Sequence, residues 1–264
     1  MDTLSELKEY IKGTEKIAVA YSGGFDSTLL LKLMTDILGE NCIGVFVDSP
    51  LSSQRQRDAA DRIASEIDAH VVQVRIGDRR CGEVGDDAEI MNNVFENGPE
   101  RCYFCKTLIY GKVRETALSF GADVCLDGEN SDDKEDERPG RRAAGEFRIR
   151  SPFRDLGIGK KDIVDAVRSL GLTETIVKDT CMATRIPSCT AFSEFDLRFV
   201  ENCEELIRQI SGVFQVRMRL SSEKATILTA PDEIQKLIGS RDRLFSELRK
   251  MDLDPVIDTK GYTG

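Results

Sequence analysis

Short apolar runs alternate with stretches of helical spacing along the first part of the chain. Lys16 to Tyr21 (KIAVAY) is a β-branched run that stops at Ser22-Gly23-Gly24, and Ser27 to Leu38 (STLLLKLMTDIL) then spaces its apolar residues as a helix does. That pattern predicts strand, tight loop, helix. Cys42 to Asp48 (CIGVFVD) reads as a second buried strand, Ser52 to Ile67 as a helix and Val71 to Ile76 as a third strand. After an irregular acidic stretch, Cys102 to Phe120 reads as a helix and Ala122 to Asp127 (ADVCLD) as a fourth strand. A polar loop from Gly128 to Gly145 leads to a fifth strand at Phe147 to Pro152, and Lys160 to Leu170 is again helical, ended by Gly171. Strands alternating with helices imply right-handed βαβ units, so the expected fold class is α/β, a parallel sheet with flanking helices.

The periodicity then lapses. Asp179 to Ala191 holds Cys, Thr, Arg, Pro and Ser without a repeat and reads as a functional connector. Beyond it come a helix (Glu194 to Ile210), two strands (Phe214 to Leu220 and Lys224 to Thr229), a helix (Pro231 to Lys250) and a last strand at Val256-Ile257. The expected organisation is a first domain over 1–178, a connector over 179–191 and a smaller α+β domain over 192–264.

Composition narrows the function. Thirty-seven Lys and Arg against forty-seven Asp and Glu give a net charge of −10, which disfavours a nucleic-acid partner. The amphipathic start has no apolar stretch of signal or membrane-spanning length, so a cytoplasmic protein with no membrane partner is expected. Eight scattered cysteines do not suit a secreted disulfide scaffold and point instead to metal, cluster or sulfur chemistry. The single histidine, His70, beside the valines of a strand, reads as structural, which argues against a His-rich zinc site or a Ser-His-Asp triad.

The segment Tyr21-Ser22-Gly23-Gly24-Phe25-Asp26-Ser27 carries the sharpest signal. Two glycines let the backbone approach a phosphate closely, while Ser22, Ser27 and the start of the next helix offer donors and a positive dipole end. The Lys-Ser/Thr pair of a Walker A loop is absent, so γ-phosphoryl transfer is not implied. SGGFDS after a buried strand resembles the SGGxDS signature of PP-loop ATP pyrophosphatases, which have the adenine nucleotide alpha-hydrolase-like fold and cleave ATP between its α and β phosphates. The resemblance implies that Ser22, Gly23, Gly24 and Ser27, with Tyr21 at the strand end, hold the pyrophosphate portion of ATP, and that Asp26 positions Mg²⁺ or a loop donor. Adenine is expected at backbone groups of Phe46 or Val47, and the ribose at Asp127 or Gly128, outside the C-terminal strand ends.

Cys102 and Cys105 form a C-x-x-C between Arg101 and Lys106, cations that favour thiolates. Alone, the pair reads as a redox disulfide, half of a zinc site or a pair of cluster ligands. With Cys181-Met182-Ala183-Thr184-Arg185-Ile186-Pro187, Asp127 to Asp133 (DGENSDD), Arg138-Pro139-Gly140 and Arg150-Ser151-Pro152, the chain resembles the LarE family of sulfur transferases from near Tyr21 to about Pro187. Such proteins adenylate a carboxylate of a pyridinium dicarboxylate mononucleotide and convert it to a thiocarboxylate for the nickel-pincer cofactor. In one branch the cysteine matching Cys181 gives up its own sulfur. In the other, three cysteines hold a [4Fe-4S] cluster whose open iron carries sulfur, and Cys102, Cys105 and Cys181 as ligands imply this branch. Ser188-Cys189 stands where the family often has Tyr-Gly, leaving Cys189 as bystander, fourth ligand or relay. Cys42, Cys125 and Cys203 fall in predicted strands and a helix and read as buried; Cys81 lies in a loop without an assigned role.

Arg217 and Arg219 alternate on a predicted strand and share a face. The resemblance makes them the pair that holds the substrate phosphate, with Glu205 as acidic partner. Arg185, four residues after Cys181, is expected to steady the negative charge developing on the adenylate. The acidic run through Asp132-Asp133 and Glu135-Asp136-Glu137 reads as a solvated loop ordering over ATP and Mg²⁺. The resemblance implies ATP, Mg²⁺ and the cluster as cofactors, a pyridinium mononucleotide as substrate, sulfide or another sulfur donor as partner, and a homo-oligomer. The rival readings are a PP-loop tRNA thiolation enzyme, an ammonia-dependent ligase with the same loop, and a non-catalytic nucleotide-binding regulator.

Overall fold

The computed structural model describes residues 3–76, 86–133, 139–172, 176 and 180–262. The chain divides into two compact units, Met1–Val94 with Pro99–Asp179, and Phe95–Gly98 with Thr180–Gly264. Cys81, Arg138 and Glu135 to Glu137 lie outside the described residues.

The first unit is built on five parallel strands, β1 (Ile17–Tyr21), β2 (Cys42–Asp48), β3 (Val71–Arg75), β4 (Val124–Leu126) and β5 (Ile149–Arg150), in the order β3-β2-β1-β4-β5. All seven residues of β2 are buried, as a strand covered on both faces requires. The helices are α1 (Thr3–Tyr10), α2 (Phe25–Leu38), α3 (Gln54–Glu66), α4 (Asp86–Phe95), α5 (Arg101–Phe120), α6 (Gly140–Glu146), α7 (Pro152–Asp155) and α8 (Lys160–Ser169). Ile17, Val19, Leu30, Met34, Phe46, Ile63, Leu126, Phe153 and Ile163 join sheet and helices in one apolar core. From β1 the chain moves outward to β2 and β3, then returns to lay β4 and β5 on the other side. The order therefore reverses between β1 and β4, and in open α/β sheets that reversal opens a crevice at the strand C-termini.

The second unit pairs β6 (Val216–Ser221) with β7 (Lys224–Thr229) antiparallel and β7 with β8 (Asp254–Ile257) parallel. Helix α9 (Glu194–Ser211) starts at a reciprocal Ser193/Asp196 cap and ends at Gly212, whose φ of +70° favours glycine.

Four local expectations change. The acidic stretch before Cys102 contains α4, which buries Met91 and Val94 on a short helical stripe. The polar loop after Gly128 contains α6, and the charged N-terminal segment forms α1. The helix expected over Pro231 to Lys250 is broken into a 3-10 turn (Pro231–Glu233), α10 (Ile234–Gly239) and α11 (Arg241–Arg249). The second break falls at Gly239-Ser240, poor helix formers.

Candidate functional site

The glycine-serine loop leaves β1 at Tyr21, whose ring is buried and whose hydroxyl donates to the Ala60 carbonyl at 3.0 Å; burial pushes that hydroxyl above its ordinary range. Gly23 has φ +74°, and a Cβ there would lie 3.0 Å from the Ala60 Cβ, so both conformation and space demand glycine. The Ser22 N–H donates to Ser27 Oγ at 3.1 Å, and the two hydroxyls are 3.0 Å apart. Ser27 Oγ donates onward to the Gly24 carbonyl at 3.3 Å. Gly24 caps α2 without a side-chain hydrogen bond, which leaves the positive end of the helix dipole facing the loop. The loop is folded upon itself as a cradle of donors at the crevice.

Across the reversal from β1 stands the end of β4. A Cβ on Gly128 would come within 2.8 Å of the Ser27 nitrogen and 2.9 Å of the Asp26 carbonyl carbon, so this backbone presses directly on the start of α2. Asp127 is buried: its Oδ2 accepts from the Tyr110 hydroxyl at 2.5 Å and its Oδ1 from the Glu129 N–H at 3.2 Å. Lys106 lies 4.7 Å from the Tyr110 ring centroid; burial alone would push its ammonium down, but Tyr110 and Asp127 outweigh it and hold it above the usual lysine range. On the other side, the β1 ladder ends at Tyr21↔Phe46 while the β3 ladder continues to Asp48↔Arg75. Val47 and Asp48 thus outrun β1, and Asp48 is held by Arg57 at 2.7 Å and Arg75 at 3.0 Å.

A cation absent from the sequence expectations completes this rim. Lys160, the first residue of α8, reaches both Asp26 oxygens at 2.9 and 2.7 Å, while its backbone N–H donates to Asp132 Oδ2 at 2.6 Å. The DGENSDD segment is structured by Arg141 and Arg154, which meet Glu129 at 2.6 and 2.9 Å. No local signal marks Lys160, because its partner is 134 positions away.

Cys102 and Cys105 occupy the first turn of α5, the former exposed and the latter half-buried. Cys181 is exposed at the head of a 3-10 turn (Met182–Arg185) in the second unit. Among the described residues, no three or more His, Cys, Asp or Glu are gathered in a group able to hold a metal ion. Cys189 is exposed with φ +62°, and its N–H donates to the Asn97 carbonyl at 2.9 Å. Asn97, buried and unremarked in the sequence, also donates through Nδ2 to the Pro187 and Thr190 carbonyls at 2.8 and 2.9 Å, fastening the connector. Cys42, Cys125 and Cys203 are buried.

Arg185, expected to face an adenylate, is instead 1 % exposed: Nε and Nη2 meet the Glu204 carboxylate at 2.9 and 3.3 Å, and Nη1 donates to the Thr180 carbonyl at 2.8 Å. Glu205 is exposed and engages Arg208 and Gln209 on its own helix, so the buried acid is its neighbour Glu204. Arg217 is buried with its guanidinium 3.4 Å from the Tyr262 ring centroid, and Arg219 on the same strand face is exposed.

No protein-family model matches the chain. It is 31 % identical over 246 residues to an uncharacterized protein of Methanocaldococcus jannaschii, covering 93 % of this chain and 89 % of that one. An uncharacterized protein of Synechocystis is 32 % identical, with 89 % and 84 % covered. The pyridinium-3,5-bisthiocarboxylic acid mononucleotide synthase of Lactiplantibacillus plantarum is 29 % identical, with 91 % and 84 % covered. The chain is thus similar along most of its length to two uncharacterized proteins and to this synthase, a likeness that supports the LarE resemblance.

Proposed function

We propose that the protein is an ATP-dependent sulfur transferase that adenylates a carboxylate of pyridinium-3,5-biscarboxylic acid mononucleotide and converts it to a thiocarboxylate, a step toward the nickel-pincer cofactor. The observation that carries this reading is the donor cradle of Ser22 to Ser27 at the sheet's reversal point, closed by Gly128, in a chain that presents Cys181 exposed on its connector.

In the first step a substrate carboxylate oxygen attacks the α-phosphorus of ATP and pyrophosphate leaves. Ser22, Ser27 and the first turn of α2 bind that leaving group, and Lys160 exchanges its contact with Asp26 for the phosphate charge. The freed Asp26 carboxylate is a hard oxygen donor of the kind Mg²⁺ takes, and the ion when bound neutralises phosphate charge there. Val47 offers backbone groups beyond the end of β1 for adenine. In the second step a sulfur nucleophile adds to the activated carbonyl carbon, the bond to the AMP oxygen breaks, and AMP departs. Arg217 and Arg219 bind the substrate phosphate, with Tyr262 stacked beneath Arg217.

Three thiols, Cys102, Cys105 and Cys181, would be the soft ligands of a [4Fe-4S] cluster, and such a cluster would supply the transferable sulfur. The exposure of Cys181 also suits a second reading in which it donates its own sulfur and becomes dehydroalanine. Replacing each of the three by Ala separates them. With a cluster, all three variants lose sulfur transfer and keep pyrophosphate release. With a sacrificial Cys181, Cys102→Ala and Cys105→Ala retain a single turnover and mass spectrometry finds dehydroalanine at 181. Unchanged pyrophosphate release in Ser22→Ala and Asp26→Ala would remove the loop assignment itself.

A further inference from the structure

We propose that Glu204 is a positioning residue that locks the Thr180–Arg185 turn, and with it Cys181, to strand β6. The acid sits on α9 among Leu197, Val200, Cys203 and Ile207, the stripe that enters the core of the second unit, and is 1 % exposed. One oxygen, Oε1, accepts from Arg185 Nε at 2.9 Å and from the backbone N–H of Met218 at 2.9 Å. The other accepts from Arg185 Nη2 at 3.3 Å, with Arg208 at 3.6 Å. The remaining arm of Arg185 runs to the turn: Nη1 donates to the Thr180 carbonyl at 2.8 Å and to its Oγ1 at 2.9 Å, and reaches the Cys181 carbonyl at 3.5 Å. Thr184 holds that same Cys181 carbonyl through its N–H at 3.0 Å and its Oγ1 at 2.8 Å.

The guanidinium is thus a rigid strut between a buried carboxylate and the backbone on either side of the Thr180–Cys181 bond. Two well-packed apolar side chains would stabilise such a site as well as a buried ion pair does. What they would lack is the fork that fixes a direction. Met218 lies between Arg217 and Arg219, so the carboxylate that sets the cysteine turn also sets the strand of the phosphate-binding cations. Glu204 touches no reacting atom; it acts through Arg185 and Met218. The catalytic consequence rests on the sulfur-transfer reading above, whereas the positioning itself does not.

The test uses full-length Glu204→Gln and the apolar double variant Arg185→Met with Glu204→Leu, compared by melting, hydrogen exchange of the amides of 182–186, pyrophosphate release and thiocarboxylate formation. The double variant is expected to melt within a few degrees of wild type. In both, exchange at the turn should rise about tenfold or more. Sulfur transfer should fall about tenfold or more while pyrophosphate release stays within about threefold. A double variant that keeps wild-type exchange and wild-type transfer would overturn the proposal, as would faster exchange with transfer unchanged. If both variants fail to fold, Thr180→Val, which removes one acceptor and leaves the buried pair intact, must show the same split in smaller measure or the idea falls. Absence of sulfur transfer in the wild type would count against the proposed function, and the exchange measurement would still decide the positioning.

Discussion

A methyl group added at Gly128 would sit 2.8 Å from the amide nitrogen of Ser27 and 2.9 Å from the carbonyl carbon of Asp26, and neither backbone atom can swing aside. Gly128→Ala is therefore expected to cost about 1–3 kcal/mol of stability in thermal melts. It should also weaken MgATP binding about tenfold by calorimetry, because the displaced atoms belong to the loop proposed to hold the phosphates. The cysteines make a second test. Burial pushes the Cys42 thiol up to about 12 and Cys203 up to about 11, and raises Cys125, whereas Cys102, Cys181 and Cys189 are exposed. Brief iodoacetamide treatment of iron-free protein at mildly alkaline pH should modify the three exposed thiols and spare the three buried ones, read by peptide mass mapping. At this scale the loop and the buried cysteines were legible because their signals are local. Glu204 was missed in favour of its neighbour Glu205, which the resemblance singled out, although Leu197, Val200, Glu204 and Ile207 repeat at helical spacing on the buried face. Lys160 and Asn97 were not legible, because their partners lie far along the chain.

Among the elements, β6 owes its start to a side chain from another segment. Glu233 accepts from the Phe214 N–H at 2.9 Å and the Gln215 N–H at 3.0 Å, and pairs with Lys236 at 2.9 Å. Burial pushes its carboxyl up, but those two amides and the lysine outweigh it and leave it below the usual carboxylate range. A lowered folded pKa stabilises the fold above the unfolded value, and that contribution disappears as pH falls through the folded value. Wild type should therefore exceed Glu233→Gln by about 1–3 kcal/mol at neutral pH. The gap should close in acid below the ordinary carboxylate range, as denaturant titrations at several pH values would show. The five strands of the first sheet were readable from their apolar runs, most fully β2. Helices α4 and α6 escaped because they are short, and few apolar residues mark their buried faces: Met91 and Val94 in one, Ala143 and Ala144 in the other.

At the scale of the whole molecule, the strand order β3-β2-β1-β4-β5 brings the Ser22–Ser27 loop and Gly128 together at the reversal point, an arrangement no single segment encodes. Arg217 and Arg219 belong to the second unit and the Ser22–Ser27 loop to the first, so under the proposed function substrate phosphate and nucleotide should fail independently. Arg217→Ala with Arg219→Ala is expected to raise the KM for the mononucleotide while leaving that for ATP near wild type. A change in melting temperature alone would make the pair a structural strand face. Among the described residues no helix is long and apolar enough to cross a membrane. The most direct test is to incubate the anaerobically prepared protein with MgATP, sulfide and pyridinium-3,5-biscarboxylic acid mononucleotide, and to follow nucleotide and substrate together by mass spectrometry. AMP and pyrophosphate in equal amounts are expected, with a substrate whose mass has gained the difference between one sulfur and one oxygen; ATP cleaved to ADP, or AMP formed with the substrate left unthiolated, would contradict the proposed sulfur transfer.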